Sequence, residues 1–211
     1  MTDELREPLP GPPGQVVTPP SRPGRKRSTS AGELERAAFE LFARNGFEST
    51  TVEDIAAVAG ISKRTFFRYF DSKNDVVWGD FGEQLRIMRA RFARCPAEQP
   101  MMDAIRTVVV EFNRFDPAEA PWHRKRMELI LQVPALQAHS TLRYVEWRAI
   151  VTEFAADRLG RPTHDLVPQA IGHATLGVAI ASYEHWLSQP GTELTTVLDR
   201  ALRGLATGFT P

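Results

Sequence analysis

The stretch 51–70 constrains the fold of this 211-residue chain most, because two short helical patterns lie on either side of one glycine. Thr51 is a good helix N-cap, and apolar residues then recur at helical spacing until Gly60. Ser62 caps a further short segment, predicted as a helix over about 63–70. Two helices joined by so tight a turn are typical of a helix-turn-helix, whose second helix enters the major groove of DNA.

The second helix of this motif combines aromatic rings with positive charge. Phe66 and Phe70 are one turn apart and are predicted to anchor it to the preceding helices. Arg64 and Arg68 lie on the opposite side, where arginine can bind guanine edges through two hydrogen bonds. A solvated basic helix is the alternative interpretation. The residues predicted to contact DNA here are Thr51, Lys63, Arg64, Thr65, Phe67, Arg68, Tyr69 and Lys73, with Tyr69 and Lys73 assigned to phosphates.

The N-terminal segment 1–28 is predicted to be a disordered tail that ends in a basic arm. Its first 24 residues hold seven prolines and lack core-forming residues. Arg25, Lys26 and Arg27 then lie together directly before the first helical pattern. We expect this arm to reach the minor groove beside the helix-turn-helix, and a solvated charge run is the alternative.

Composition makes any DNA-binding surface a local feature, because 26 basic and 26 acidic side chains give a formal net charge of zero. A single cysteine excludes an intramolecular disulfide. We recognise no signal-peptide pattern and no apolar run long enough to span a bilayer, so we expect a cytoplasmic protein without a membrane partner. We find no residue spacing typical of a metal site and no catalytic sequence motif. We therefore predict that the chain has neither a metal site nor a cofactor.

The segment 37–77 resembles the DNA-binding region of TetR-type transcriptional regulators, since it matches nearly every fixed position of that family's pattern. Arg64 and Phe67 depart mildly from the pattern, in which a small residue and a tyrosine are usual. The resemblance implies a homodimer of all-α subunits that binds double-stranded operator DNA through three N-terminal helices. It also implies a larger C-terminal part that dimerises and binds an inducer.

Two further stretches, the 22–27 basic arm and the segment "GHATLGVAIASYEHWL", are similar to the branch of this family associated with mycofactocin biosynthesis loci in actinobacteria. This narrower resemblance implies repression of a redox-cofactor gene cluster. It also implies a long-chain acyl-CoA thioester as the effector.

We therefore predict an all-α chain with a helix-turn-helix DNA-binding domain at 29–73 and a ligand-binding and dimerisation domain at 74–211. The apolar periodicity predicts one long helix over 74–94. Segment 166–188 is apolar or small nearly all round, so we expect it to be buried on several sides. With the last helix, about 192–207, it is predicted to form a four-helix dimer interface, whereas burial within one chain is the alternative.

Aromatic and basic residues of the C-terminal part are candidates for effector binding. The basic run after Trp122 could form a phosphate-binding rim for an acyl-CoA head group, although such runs are more often solvated. The candidate residues are Trp122, Arg124, Arg126, Arg143, Trp147, Phe154, His173 and Tyr183. The functional hypothesis is a ligand-responsive repressor that is not an enzyme and that binds a palindromic operator as a dimer. The alternative is a helical acyl-compound binding protein or enzyme with an incidental basic patch.

Overall fold

The computed structural model describes residues 30–209, and within that range every regular secondary-structure element is a helix, as predicted. The helices are α1 (Ala31–Asn45), α2 (Val52–Val58), α3 (Lys63–Phe66), α4 (Lys73–Trp78), α5 (Phe81–Phe92), α6 (Met101–Phe112), α7 (Ala120–Gln132), α8 (Pro134–Leu159), α9 (Leu166–Ser188) and α10 (Leu194–Ala206). A 3-10 turn at Pro117–Glu119 leads into α7. Between residues 30 and 209 no helix is both long and apolar enough to cross a membrane.

Local capping residues determine where the first helices begin. The Ser30 hydroxyl accepts a hydrogen bond from the Glu33 amide at 3.2 Å, and the Glu33 carboxylate accepts one from the Ser30 amide at 2.9 Å. Thr51 and Asp54 repeat this capping box at α2. Each box satisfies two amides that the first turn of a helix leaves without partners. The start of α2 predicted from Thr51 is therefore confirmed.

The predicted single helix over 74–94 was wrong, because the chain breaks into α4 and α5 at Gly79. This glycine has φ 56° and ψ −140°, a conformation that side chains with a Cβ rarely adopt. Asp80 follows and caps α5, its carboxylate accepting from the Glu83 amide at 3.2 Å. The apolar positions keep helical spacing across the break, so periodicity alone could not reveal it.

The N-terminal core extends into the C-terminal part of the chain. Leu34, Phe39, Phe66 and Val77 share one buried cluster with residues of the later helices, including Ile130 of α7. Helix α7 packs against both α4 and α8. The N-terminal helices and the later helices therefore share one set of buried side chains.

A second core lies between α5, α6, α8, α9 and α10. Its buried residues include Met88 of α5, Ile105 of α6 and Val151 of α8. Helices α8 and α9 approach closely at Gly172, where an added Cβ would lie 2.2 Å from the Thr152 hydroxyl oxygen. The small residues of α9 thus bring it against α8 on one side, while α10 packs on another.

Candidate DNA-binding surface and effector cavity

Helix α3 ends at Phe66, earlier than the predicted end near residue 70, and together with the turn 67–70 it has one buried and one exposed side. Phe66 and Phe70 are buried beneath it, as predicted, and their ring centroids lie 5.8 Å apart. The exposed residues on the other side are Lys63, Arg64, Phe67, Arg68 and Tyr69. Phe67 is 45% exposed and Tyr69 39% exposed, which is unusual for such large rings in a folded chain. Rings and arginines therefore lie together on one accessible surface.

Hydrogen bonds and an ion pair attach α3 to its surroundings. The Ser62 hydroxyl accepts from the Thr65 amide at 3.1 Å and lies 2.9 Å from the Thr65 hydroxyl. Lys63 forms an exposed ion pair with Glu53 of α2. The Thr51 hydroxyl donates to the Asp54 carboxylate at 2.7 Å. Thr51, Lys63 and Thr65 thus hold α2 and α3 in position in addition to their predicted contacts with DNA.

Lys73, which is predicted to bind a phosphate, is bound to main-chain carbonyls in the structure. Its ammonium donates to the carbonyl oxygens of Phe47 at 2.7 Å and Thr50 at 2.8 Å, and more weakly to that of Glu48 at 3.4 Å. It also lies 4.2 Å from the centre of the Phe47 ring. An ammonium has three donors, and the two short bonds occupy two of them, so a phosphate would have to compete with these carbonyls. Lys73 therefore stabilises the loop between α1 and α2.

The predicted basic arm, Arg25, Lys26 and Arg27, lies outside residues 30–209. Its contact with the minor groove therefore stays a prediction.

A cavity of about 390 Å³ lies where α4, α5, α6, α7, α8 and α9 meet. Most of its wall is apolar, and the volume falls in the range of small-molecule sites, about 300–1,000 Å³. The apolar and aromatic lining residues include Trp78, Phe81, Phe112, Met127, Ile130, Trp147, Leu176 and Ile180.

The polar part of the wall is a hydrogen-bonded chain of three side chains. The Tyr183 hydroxyl donates to the Asn113 side-chain oxygen at 2.6 Å, and His123 Nε2 lies 3.0 Å from that hydroxyl. His123 therefore donates to Tyr183 through Nε2. Burial, with the nearby Arg126 guanidinium, lowers the pKa of His123 to about 4, and burial raises the pKa of Tyr183. Both side chains are neutral near pH 7.

The structure brings three of the predicted effector residues, Arg126, Trp147 and Tyr183, to this cavity. The other five lie outside the lining of this cavity, and their contact with an effector stays a prediction. Trp122 packs on Phe39, Phe154 stacks on Phe92, Arg124 donates to the Leu187 carbonyl, Arg143 pairs with Asp75, and His173 is exposed on α9. Ring type and charge therefore could not separate cavity residues from core and surface residues.

Sequence analysis missed Trp78, Asn113 and His123 as cavity residues. His123 was noticed only as part of a basic run, whereas it is mostly buried and neutral. Trp78 and Asn113 stand at the ends of α4 and α6, and only the packing of distant helices brings them together.

Two sets of ion pairs connect the N-terminal helices to α7 and α8. Arg126 of α7 donates to Glu35 of α1 at 2.6 Å. Arg143 and His139 of α8 donate to Asp75 of α4 at 2.8 and 3.0 Å. Burial of Asp75 raises its pKa, but hydrogen bonds from Ser72, Arg143 and His139 outweigh burial and hold the pKa below its usual value. Each partner lies on a different part of the chain, so these pairs couple the two parts.

The outer side of α9 is exposed in the single chain, so the alternative of burial on several sides within one chain is not observed. Its exposed residues are mostly small or apolar: Leu166, Val167, Ala170, Ala174, Gly177 and Ala181. Leu166 is 78% exposed, and an added Cβ at Gly177 would meet no atom within 4 Å. A contiguous apolar surface of this kind is typical of an interface.

Two protein families match the chain. Residues 35–77 match the family described as "Bacterial regulatory proteins, tetR family". Residues 99–210, more than half of the chain, match the "MftR C-terminal domain". The first match covers α2 and α3, and the second covers most of the cavity wall.

Proteins of similar sequence and fold are transcriptional regulators. Over 189 residues the chain is 43% identical to the Mycobacterium tuberculosis protein assigned as the mycofactocin biosynthesis transcriptional regulator MftR, covering 90% of this chain and 96% of that protein. The fatty acid degradation regulator FadR from Bacillus halodurans has the same fold, with a TM-score of 0.62 at 16% identity over 85% of this chain and 99% of that chain. FadR of Thermus thermophilus, a TetR-family repressor solved in complex with lauroyl-CoA, has a TM-score of 0.54 at 23% identity, over 86% of this chain and 96% of that chain.

Proposed function

This chain belongs to the TetR family of bacterial transcriptional regulators, and we propose that it is a repressor that a hydrophobic effector releases from its operator. Its relatives and its fold are those of regulators and not of enzymes. The observation that carries the proposal is the exposed side of α3, where Arg64, Phe67 and Arg68 surround a buried aromatic anchor. Such a helix supplies both base contacts and a firm attachment to the domain.

The target is proposed to be a palindromic operator upstream of mycofactocin-type genes. The support is the similarity to the Mycobacterium tuberculosis protein and the match to the MftR C-terminal domain. A gel-shift titration on the chain's own upstream intergenic DNA tests this proposal. Saturable binding that resists non-specific competitor DNA is expected, and its absence would contradict the assignment.

Arg68→Ala is expected to relax the base preference, costing about 1–3 kcal/mol on the preferred operator but little on mismatched sites. Arg94→Ala is the matched control, because it removes one exposed arginine from the turn after α5, in the C-terminal part. Equal losses for the two variants would show that Arg68 acts only through its charge. Deleting residues 1–27 is expected to weaken binding and to flatten its salt dependence if the basic arm contacts DNA.

The active form is proposed to be a homodimer that joins α9 and α10 of two subunits. The exposed small residues of α9 would allow a second copy of the helix to approach closely, and a two-fold dimer would present two α3 helices to a palindrome. Gly177→Glu is expected to give monomers in light scattering. Gly82→Glu is the matched control, since both are helical glycines with open space around the added Cβ. A dimeric Gly177→Glu variant would contradict this interface.

The effector is proposed to be an acyl compound, with long-chain acyl-CoA as the first candidate. An apolar cavity of about 390 Å³ suits an acyl chain, and the lauroyl-CoA complex of Thermus thermophilus FadR shows such a ligand on a protein of this fold. Trp78 and Phe81 line the cavity on either side of the α4–α5 break. An effector there would displace α4, which directly follows α3. The two α3 helices of the dimer would then lose the spacing of about 34–36 Å, or a multiple, that successive major grooves require.

A further inference from the structure

Phe67 is the one wholly apolar side chain among the exposed residues of the segment 62–69. It is 45% exposed, and its side chain has no atom that donates or accepts a hydrogen bond. A single exposed apolar residue is ordinary on a protein surface. Phe67, however, lies in sequence between the exposed cations Arg64 and Arg68 of the proposed DNA-binding surface. This position indicates a contact with DNA that is not a hydrogen bond.

The Phe67 ring is also held in place by its neighbours. Its centroid lies 5.5 Å from that of the buried Phe66 ring at an interplanar angle of 89°, an edge-to-face arrangement that aromatic pairs favour. The Lys63 ammonium lies 5.9 Å from the ring centre and pairs with Glu53 of α2. The Phe67 amide donates to the Lys63 carbonyl at 3.1 Å, so helical hydrogen bonding reaches this residue. A ring already fixed in this way loses little conformational freedom when it binds, which favours a specific contact.

Thr65, the other residue of this surface that carries a methyl group, is engaged elsewhere. Its side chain is only partly exposed, and its hydroxyl lies 2.9 Å from the Ser62 hydroxyl. The Thr65 amide donates to the same Ser62 oxygen at 3.1 Å. These bonds hold Thr65 in the cap of α3, so the apolar surface that faces outward belongs to Phe67.

The major groove of DNA offers an exposed apolar ring one matching group on the base edges, the C5-methyl group of thymine. The remaining base-edge groups are hydrogen-bond donors and acceptors, which suit arginine. Arg64 and Arg68 are four residues apart, a rise of about 6 Å along a helix, which is close to two base-pair steps of about 3.4 Å. The two arginines and the ring can therefore contact the same short stretch of groove.

We propose that Phe67 is a specificity-determining residue that contacts the C5-methyl group of a thymine in each operator half-site. This thymine lies within about two base pairs of a guanine bound by Arg64 or Arg68. The inference rests on the proposed function and adds the chemical group that the ring recognises. Because the contact is apolar, it contributes base preference without releasing counterions, and so without changing the salt dependence of binding.

The test uses synthetic duplexes of the upstream operator in which each thymine is replaced in turn by deoxyuridine. Deoxyuridine pairs like thymidine and lacks only the C5-methyl group. Affinities of the full chain are measured by fluorescence anisotropy at one salt concentration. Wild type is expected to bind about three- to fivefold more weakly when one particular thymine of a half-site is replaced, as expected for one buried methyl group. The other thymines are expected to have little effect.

Phe67→Ala removes the ring and is expected to bring the ratio of the thymidine and deoxyuridine affinities at that position to about one. Its salt slope is expected to equal that of wild type. Phe67→Leu keeps an apolar side chain and is expected to retain a ratio of about two or more. Leu142→Ala is the matched control, since it removes a side chain that is 66% exposed on α8, and it is expected to keep the wild-type ratio. Each ratio compares two duplexes on one protein, so a general loss of stability cancels.

The outcomes separate this inference from the function on which it rests. If saturable operator binding is insensitive to every deoxyuridine substitution, the methyl contact is wrong and the proposed function stands. If one thymine matters but Phe67→Ala keeps the full ratio, another residue contacts the methyl group and the assignment of Phe67 is overturned. If the chain binds no upstream DNA saturably, both the inference and the proposed function fall.

Discussion

Replacing Lys73 by methionine distinguishes a structural role from a role on DNA. Methionine keeps the length and apolar stem of the side chain and removes the ammonium. The carbonyls of Phe47 and Thr50 then lose their donor at 2.7 and 2.8 Å. Because these carbonyls end the loop that enters α2, we expect the free energy of unfolding to fall and the DNA-binding domain to loosen.

The size of the effect follows from these contacts. Hydrogen bonds that involve a charged group contribute about 1.5–3 kcal/mol, and a cation over an aromatic ring adds roughly 0.5–1 kcal/mol. Burial of the Lys73 ammonium, which lowers its pKa, opposes them. We expect a net loss of about 2 kcal/mol, equivalent to a fall of about 4–8 °C in Tm for a chain of this size.

The assay is thermal and urea unfolding at one protein concentration, paired with DNA binding over a range of salt concentrations. The salt slope measures the number of phosphate contacts, at about 0.9 per contact. Lys73→Met should lower Tm and leave the slope unchanged. Lys63→Met is the control, since this exposed lysine is still predicted to contact DNA. It should lower the slope by about 0.9 with little change in Tm.

An unchanged Tm with a salt slope reduced by about one would refute this reasoning. It would mean that Lys73 leaves its carbonyl partners to bind a phosphate, as the sequence alone predicts.

Three further changes test the cavity, the core and the connection between the two parts. His123 has a pKa of about 4 when folded against about 6.5 unfolded, so stability should fall as pH drops from 6.5 to 4, by about 3 kcal/mol in total, and His123→Gln should remove that part of the pH profile in urea unfolding. Gly172→Ala should cost about 1–3 kcal/mol because the new methyl group meets Thr152, whereas Gly177→Ala, with open space, should leave the unfolding of the monomer unchanged or slightly stabilised. Asp75→Asn should cost about 2–3 kcal/mol at pH 7, and the difference from wild type should shrink as acid protonates the carboxylate; equal stability at pH 7 would contradict the role of this ion pair.

The N-terminal helices could be predicted because their signals are local. Ser30, Thr51 and Ser62 cap the helices that follow them, and Gly60 ends the turn with φ 67°. The two-sided character of α3 follows from the spacing of Phe66 and Phe70. Such signals depend only on neighbouring residues, so the sequence alone expresses them.

Features that depend on distant residues could not be predicted. The α4–α5 break at Gly79 is covered by Glu35 and Arg126, whose meeting requires the complete fold. The hydrogen bonds of Lys73 to the carbonyls of Phe47 and Thr50 could not be predicted, because main-chain carbonyls carry no sequence signal. The cavity draws its walls from six helices, and ring type alone does not distinguish Trp147, which lines it, from Phe154, which lies in the core.

The proposed function requires that binding of an effector in the C-terminal cavity weakens binding of the operator to α3, and the reverse. The most direct test is calorimetric titration of lauroyl-CoA into the free protein and into its complex with the upstream DNA. Coupling is reciprocal, so lauroyl-CoA should bind the DNA complex more weakly, by the same factor by which it lowers operator affinity, typically about 5–150-fold. Equal affinity for the free protein and the DNA complex would contradict the account.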